Sequence, residues 1–346
     1  MVAHASSIHD TSPLTIGSQV VPNPVILAPM SGITDAPFRR MAIRLGVGMV
    51  VSEMTACAAL AQGRRNAQLR LEGQGHGLHV VQIAGCEAQW MAEGARIAVQ
   101  AGADVIDINM GCPARHVTNG YAGSALMRDL DHALRLIDAT VHAVSVPVTL
   151  KMRLGWDHHS INAPELALRA ENAGVKLVSV HGRTRCQFFT GCADWTAVRA
   201  IAESVTIPVV VNGDIESFDD AVAALRASGA RAIMIGRGAQ GRPWFPGQIA
   251  RFLTTGMRAA PPPLNDQLTL IATLYEEMLI HHGLRIGLRH ARKHLGWALD
   301  AAATTVGASR AVLKHWRNLV LTAEEPSETK RRLVDAFAAL AWRAAA

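Results

Sequence analysis

The sequence predicts an α/β protein, a (β/α)8 barrel followed by a small C-terminal helical bundle. Eight short apolar runs, rich in β-branched residues, recur from residue 25 to residue 238. Such runs are typical of strands buried on both faces of a parallel sheet. Alanine-rich segments with helical periodicity separate them, and this alternation predicts βαβ units. An open doubly wound sheet is the competing architecture, but eight evenly spaced units favour a closed barrel. The runs are residues 25–30, 48–54, 79–85, 104–111, 147–153, 177–183, 208–214 and 232–238.

The pattern changes after residue 250. Residues 254–265 contain the glycine and prolines that end a helix, and no strand-like run follows. The remaining chain predicts a small bundle of helices. We therefore expect a barrel domain over residues 1–255, a linker over 256–265 and a helical domain over 266–346. The predicted helices are residues 266–283, 285–300, 308–321 and 327–342.

The positive charge of the chain is concentrated in this C-terminal part. The whole chain of 346 residues has a formal net charge of +6, which fits either a nucleic-acid partner or an ordinary soluble enzyme. Residues 281–322 carry seven Lys and Arg, with Asp300 as their only acidic residue. Arg285, Arg289 and Arg292 share one helical face by their spacing. This face is either a phosphate-binding surface or a solvated stripe.

Cysteine usage and hydropathy set the compartment that we expect. The five cysteines form no CxxC pair, which argues against a disulfide framework and against a zinc site. Residues 1–17 lack the apolar segment of a signal peptide, and no apolar run reaches the roughly 18 residues of a membrane helix. We expect a cytoplasmic protein without a metal site or a membrane segment.

Reactive residue types cluster where the predicted strands end, which is where barrel enzymes place their sites. This clustering indicates an enzyme or a ligand-binding barrel rather than a structural protein. The residues are Pro29, Met30, Gln82, Asn109, Cys112, Lys151, Arg153, His181, Arg183, Asn212, Gly213, Asp214, Gly236 and Arg237.

The loops after strands 7 and 8 predict a phosphate site. Gly213 and Gly236 allow backbone N–H groups to approach phosphate oxygens, and Arg237 adds charge. The alternative is that both are ordinary turns. Lys151 lies on an otherwise apolar strand and fits three roles: a Schiff-base nucleophile, a fixed cation beside a reduced flavin, or a structural lysine. Gln82 suits hydrogen bonding to the edge of a ring.

Two further side chains suggest reaction chemistry. His181 suits contact with a phosphate or a ring oxygen. Cys112 lies in a loop that its glycine neighbour should expose, so it can serve as a nucleophile or a proton donor. Cys57 and Cys86, by contrast, are interpreted as small packing residues.

Nine stretches together resemble the tRNA-dihydrouridine synthases, most closely the bacterial B-type branch. Each stretch alone is a weak signal, but together and in this order they are specific. The stretches are APMSGITDAPFR (28–39), VQIAG (81–85), DINMGCPARHV (107–117), GSALM (123–127), PVTLKMRLGW (147–156), VHGRTR (180–185), NGDI (212–215), IGRGAQGRPW (235–244) and ARKHLGW (291–297).

The resemblance implies an FMN-binding barrel that reduces uridine in tRNA, with NADPH as electron donor. It implies that Cys112 is the general acid and that Asn109 and Arg183 hold the uracil ring. Arg285, Arg289 and Arg292 would contact tRNA. No obligate protein partner is inferred. The positions implied to contact FMN are Pro29, Met30, Ser31, Gln82, Lys151, His181, Asn212, Gly213, Asp214, Gly236 and Arg237.

The sequence departs from the family pattern at two places and leaves three rival functions open. Ser31 stands where family members commonly have alanine, and the loop 114–123 has Arg115, His116 and Gly120 where lysines are frequent. The rivals are a flavin barrel acting on a small pyrimidine, a non-catalytic nucleic-acid-binding regulator, and a Schiff-base lyase using Lys151. The target uridine, the choice of NADPH over NADH and the oligomeric state are not determined.

Overall fold

The structure, a computed structural model, describes residues 13–73 and 75–344, in which the chain forms two compact units. The first unit contains the residues up to Gly238 together with Pro246–Met257, and the second contains Ala239–Phe245 and the chain from Arg258 onwards. Within the described part, no helix is long and apolar enough to cross a membrane. The expectation of a missing signal peptide falls mainly on residues 1–12, which lie outside the described residues.

The first unit is a closed (β/α)8 barrel, as predicted. The parallel sheet has the order β4-β3-β11-β10-β9-β8-β7-β6-β5, and its two ends are joined because Val51, between β4 and β5, bridges to Val80 at the start of β6. The segments β4 and β5 are thus parts of one barrel strand, and the open-sheet alternative is excluded. The strands are β1 Leu14–Ile16, β2 Gln19–Val21, β3 Val25–Leu27, β4 Met49–Val50, β5 Thr55–Ala56, β6 Val80–Ala84, β7 Val105–Met110, β8 Val148–Arg153, β9 Val178–His181, β10 Val209–Asn212 and β11 Ala232–Ile235.

The helices that surround the barrel begin at local capping signals. Asp35 accepts a hydrogen bond from the N–H of Phe38 at the start of α1, and Ser217 does the same for Asp220 at the start of α9. Gly229, with φ +64°, ends α9 in the left-handed region. The helices are α1 Ala36–Arg44, α2 Cys57–Ala61, α3 Arg65–Leu69, α4 Ala88–Gln100, α5 Arg115–Thr118, α6 Leu130–Ala143, α7 Ala163–Asn172, α8 Arg199–Ser204, α9 Phe218–Ser228 and α10 Phe245–Thr255.

The barrel interior is apolar at the N-terminal ends of the strands and polar at their C-terminal ends. Because side chains alternate along a strand, Val105, Asp107 and Asn109 of β7 share one face. Val105 belongs to the apolar core cluster, whereas Asp107 and Asn109 lie in register with Thr149 and Lys151 of β8. The pattern therefore gathers polar side chains at the end where barrel sites occur.

An N-terminal hairpin that the sequence analysis did not predict packs below this interior. Strands β1 and β2 pair in antiparallel fashion, and Leu14, Ile16 and Val21 join the same core cluster as the barrel valines. Three-residue strands carry too little alternation to be recognised in a sequence.

The second unit contains four helices close to the predicted ranges. They are α11 Leu264–His282, α12 Leu284–Val306, α13 Arg310–Thr322 and α14 Pro326–Ala344. Helix α12 runs six residues beyond the predicted end at residue 300, because the first residue that ends it is Gly307, with φ +66°. A side chain at Gly287 would place its Cβ 2.7 Å from the carbonyl oxygen of Met278, so this glycine allows α11 and α12 to approach closely.

Candidate active site

Cys112 follows β7 in a loop that is held by hydrogen bonds to Asn109 on one side and to Ser124 on the other. The N–H groups of Gly111 and Cys112 donate to Asn109 Oδ1 over 3.2 and 2.9 Å. The Cys112 carbonyl accepts the Ser124 hydroxyl over 2.8 Å. Burial raises the pKa of the half-buried Cys112 thiol, an effect that a backbone hydrogen bond from Ala114 and the charges of Arg153 and Lys151 partly oppose. The loop therefore holds a thiol that is protonated at neutral pH.

Two amides lie beside this loop in the barrel interior. Asn109 Nδ2 donates to Gln82 Oε1 over 2.8 Å, and Gln82 Nε2 donates to Asp107 over 2.7 Å. All three side chains are buried. Asn109 thus supports the Cys112 loop in this structure, while its predicted contact with uracil remains a prediction.

Lys151 projects from β8 into the same interior. Its Nζ donates to Asn212 Oδ1 over 3.0 Å, and Asn212 in turn donates to the Met234 carbonyl over 2.8 Å. Burial, reinforced by Arg153 and opposed by Asp107, lowers the pKa of Lys151 to about 8. At neutral pH the lysine is therefore a cation, but it loses its proton at a lower pH than an ordinary lysine does. An anion nearby would raise its pKa back toward the ordinary value.

His181 is held in its neutral form. Burial first, and then the nearby cations Arg153, Lys151, Arg183 and Arg237, lower its pKa well below the ordinary value. Arg183 Nη1 lies 3.3 Å from His181 Nε2. Because the guanidinium can only donate, Nε2 is assigned as the acceptor and the ring proton lies on Nδ1.

Arg183 and Asp214 form the central ion pair of the site. Arg183 is only 1% exposed and binds both carboxylate oxygens of Asp214, over 2.9 and 2.6 Å. Its other N–H groups reach His181 and the carbonyls of Thr190 and Gly191. All five donors of Arg183 are engaged, so a contact with uracil, which stays a prediction, would have to replace one of these bonds.

Asp214 is occupied in the same way. It also accepts from Arg237 Nη2 over 2.7 Å and from the N–H of Ala193 over 2.8 Å. Although burial opposes ionisation, the hydrogen bonds from Arg183 and Ala193 hold the pKa of Asp214 below its ordinary value. Its side chain therefore orients two arginines, and its predicted contact with FMN stays a prediction.

The turns after β10 and β11 offer backbone donors. Gly213 and Asp214 have φ values of +119° and +52°, and a Cβ at Gly213 would lie 2.7 Å from the Ala193 Cβ. Among the described residues, the N–H groups of Gly213, Asp214, Gly236 and Arg237 meet no acceptor. Adjacent N–H groups that are free in this way suit an anion.

The remaining predicted positions of the first unit lie at the same end of the barrel. Pro29, Met30 and the exposed Ser31 follow β3 directly, and Met30 Sδ is 3.7 Å from where a Cβ on Gly236 would be. The Met30 N–H is engaged by Thr34 over 2.8 Å. This contact organises a tight turn at the end of the first barrel strand.

The predicted basic face lies on α12 in the second unit, and its three arginines differ. Arg285 and Arg289 are exposed, whereas Arg292 is half-buried and donates to the Ala323 carbonyl over 3.2 Å. Arg292 thus has a structural contact within the unit. On α13, Arg310 and Lys314 are also exposed.

Sequence reasoning placed Arg153 at a strand end without giving it a role, and it missed Asp107 and Thr149, which also build the site. Arg153, 1% exposed, ties the Gly111 carbonyl to those of Thr184 and Phe188, each over 2.8 Å. Asp107 and Thr149 lie beneath Gln82. The available signal was their spacing, since Asp107 stands two residues before Asn109 and Thr149 two before Lys151, on the inward face of each strand.

Comparison with known protein families identifies the family of this chain. Residues 26–341 match the family described as Dihydrouridine synthase (Dus). The chain belongs to the dihydrouridine synthase family. It is therefore an enzyme, and a flavin is the cofactor that this family implies.

Named relatives are similar in sequence to this protein over most of its length. A "Probable tRNA-dihydrouridine synthase" from Rhizobium leguminosarum bv. phaseoli is 51% identical over 317 residues, covering 92% of this chain and 96% of the relative. A "tRNA-dihydrouridine synthase B" from Xanthomonas axonopodis pv. citri is 48% identical, covering 82% and 86%.

Solved structures share the barrel at low sequence identity. Morphinone reductase in complex with tetrahydroNAD has a TM-score of 0.52 and 16% identity, covering 77% of this chain and 94% of its own. Histamine dehydrogenase from Rhizobium sp. 4-9 has a TM-score of 0.53 and 16% identity, covering 76% and 50%. At these identities the likeness concerns the fold.

Proposed function

We propose that this dihydrouridine synthase reduces uridine to 5,6-dihydrouridine in tRNA, with FMN as its flavin and NADPH as the electron donor. The observation that carries the proposal is the position of Cys112, whose loop is held by Asn109 at the polar end of a barrel whose interior is rich in cations. The names of the relatives support the same substrate.

The residues at this end of the barrel fit an anionic flavin. Lys151, Arg153, Arg183 and Arg237 surround His181, and the depressed pKa of Lys151 indicates a buried cation that lacks full compensation. Free backbone N–H groups on the two adjacent turns suit a single phosphate group. A single phosphate site, with no dinucleotide fingerprint in the sequence, favours FMN over FAD.

Each side chain then has a distinct task. Lys151 would hold negative charge near the ring system, and the backbones of the Gly213 and Gly236 turns would bind the phosphate. The neutral His181 offers its Nδ1 proton as a donor. Gln82, whose amide is held by Asp107 and Asn109, would hydrogen-bond the edge of the ring.

Cys112 supplies the proton of the reaction. When bound, a reduced flavin would supply the hydride that C6 of the uracil ring accepts. The Cys112 Sγ–H bond breaks as its proton adds to C5, and the thiolate is later reprotonated by solvent. A thiol with a raised pKa suits this role, because a general acid must still carry its proton when the hydride arrives.

The substrate must present an unstacked base, since the site lies inside a barrel mouth. Extrusion of a nucleotide costs a few kcal/mol, and less for an unpaired loop base. Phosphate contacts from the exposed Arg285 and Arg289 on α12 and from Arg310 and Lys314 on α13 would offset this cost. We propose the helical unit, residues 266–346, as the tRNA-binding domain.

Single-turnover oxidation of pre-reduced enzyme by tRNA tests the proposal. Cys112→Ala should retain FMN and its reduction by NADPH but reoxidise with tRNA about 10²–10⁴-fold more slowly, the usual contribution of general acid catalysis. Cys86→Ala, a partly buried cysteine without a role in the proposal, is the control and should behave as wild type.

Three outcomes would contradict the proposal. Cys112→Ala that reoxidises as fast as wild type would place the proton donor elsewhere. Faster oxidation by free uracil than by tRNA would favour a small-pyrimidine reductase. A protein that takes up no flavin on reconstitution would favour a nucleic-acid-binding regulator. Mapping dihydrouridine in tRNA from a strain that lacks the gene would identify the target position.

A further inference from the structure

The amides of Gln82 and Asn109 rest on the buried carboxylate of Asp107, for which the sequence predicted no role. Asp107 is 3% exposed and Thr149 is 2% exposed. One oxygen of Asp107 accepts from Gln82 Nε2 over 2.7 Å and the other from the Thr149 hydroxyl over 2.6 Å. A carboxylate in a barrel interior is costly unless its oxygens are hydrogen-bonded. These two short bonds therefore explain how Asp107 is tolerated there.

Asp107, Gln82, Asn109 and the Cys112 loop are joined in a row of hydrogen bonds. The direction of each of these bonds is fixed from the Cys112 end. The backbone N–H groups of Gly111 and Cys112 can only donate, so the Asn109 atom that faces them must be Oδ1. Asn109 Nδ2 then donates to Gln82, whose facing atom must be Oε1. Gln82 Nε2 is left needing an acceptor, and Asp107 provides it. Each amide thus has a single orientation that satisfies all its partners.

We infer that Asp107 and Thr149 are positioning residues, which fix the amide orientations of Gln82 and Asn109 and thereby hold the loop that carries Cys112. The inference rests on the proposed function for its catalytic consequence alone. Without an acceptor at residue 107, the Gln82 amide would be free to turn its NH₂ group toward Asn109. Two donors would then face each other, and Asn109 would lose the orientation that anchors the Cys112 loop.

Substitutions at the two positions separate this role from charge and from packing. In D107N, the new amide oxygen accepts from Gln82 and its NH₂ donates to Thr149, whose hydroxyl turns to accept. In T149V, Asp107 still accepts from Gln82. In the double variant, the NH₂ group of the amide at residue 107 has no acceptor, so only the backbone N–H groups of Gly111 and Cys112 still fix the direction of the hydrogen bonds. D107L removes the acceptor altogether.

Amide hydrogen exchange at Gly111 and Cys112 reports directly on the loop anchor. We expect exchange to accelerate about tenfold in D107L, as for the loss of one net hydrogen bond, and by a smaller factor in the D107N/T149V double variant, which keeps an acceptor for Gln82. Each single variant, D107N or T149V, should change it much less. T140V is the matched control, because it removes an equally buried hydroxyl that bonds the Leu136 carbonyl on α6.

Catalysis should follow the same order. In D107L, single-turnover oxidation by tRNA should slow about tenfold, because loss of the anchor frees the Cys112 loop, and it should slow more than the reduction by NADPH. The double variant should show the same selective effect to a smaller extent. A purely structural defect would instead impair both half-reactions together and would appear in T140V as well. If D107L does not fold, the double variant, which is close to wild type in volume, carries the test.

Two results would overturn the inference. Exchange at Gly111 and Cys112 that is unchanged in D107L, and in the double variant if D107L does not fold, would show that the amides do not hold the loop. Exchange that accelerates in D107N as much as in D107L would show that the charge of Asp107, not the direction of the bonds, matters. Lack of turnover of tRNA by the wild type would count against the proposed function alone, because the exchange measurement needs no tRNA.

Discussion

Removal of the Asp214 carboxylate should be among the most damaging single changes at the site. Asp214→Ala leaves the guanidinium of Arg183 buried at 1% exposure without the bidentate partner that now binds it over 2.9 and 2.6 Å. Breaking a buried pair by deleting one partner typically costs about 3–5 kcal/mol. Two interactions are lost in addition, those with Arg237 and with the N–H of Ala193.

The assay is thermal unfolding followed by circular dichroism, with and without saturating FMN. A loss of about 3–5 kcal/mol should lower Tm by about 6–20 °C for a unit of this size. Arg237→Ala is the matched control, because it removes the other partner of the same carboxylate. Its side chain is 45% exposed, and an exposed pair contributes about 0–1 kcal/mol. Asp214→Ala should therefore be far more destabilising than Arg237→Ala.

The pH dependence gives a second check on the same residue. The pKa of Asp214 lies below its ordinary value of 3.8, so the stabilisation is present above that value and is lost as the pH falls through the folded-state pKa. The difference between wild type and Asp214→Ala should stay constant near neutrality and shrink only in acid. Equal Tm values for wild type and Asp214→Ala at neutral pH would refute the reasoning.

Four further outcomes are expected. Denatured protein should release FMN rather than FAD, as identified by chromatography, because the site presents one phosphate-binding pair of turns. FMN affinity, measured by fluorescence titration, should fall as the pH rises through about 8, where Lys151 loses its charge. The Lys151→Met variant should bind FMN more weakly and lack this pH dependence. A pH profile identical to that of the wild type would remove Lys151 from the site. Alkylation of the Cys112 thiol should accelerate at a higher pH than alkylation of N-acetylcysteine, because burial raises its pKa; acceleration at a lower pH would indicate an activated thiolate. Reversal of Arg285 and Arg289 to Glu should weaken tRNA binding and reduce its salt slope by about 1–2. The control is Arg331→Glu on α14. Arg331 is exposed and paired with Asp335, and its reversal should change binding little. Equal losses of tRNA affinity in the two variants would mean that the α12 face is not a specific contact.

Much of the barrel could be predicted because its signals are local in the chain. The alternation of apolar runs with helical segments reflects burial of parallel strands on both faces, and each run became a strand at nearly the predicted place. The C-terminal helices were predicted for the same reason, since helical periodicity and glycine or proline at the ends require no knowledge of distant contacts. The β1–β2 hairpin was missed because its stability comes from packing on residues far away in the sequence.

The sequence by itself determined the (β/α)8 barrel, the helical segment that follows it, and the positions at the strand ends where reactive side chains gather. Spacing and residue type suffice for these, because strand alternation and turn chemistry act over a few residues. Only the tertiary structure decided what each polar side chain does. Arg183 and Asp214 were expected to meet ligands, which stays a prediction; the structure adds that they engage each other, because strands that are distant in sequence bring their ends within hydrogen-bonding distance. Asp107 became part of the site for the same reason: its partners, Gln82 and Thr149, come from neighbouring strands of the closed sheet, and the direction of their hydrogen bonds exists only once the barrel has formed.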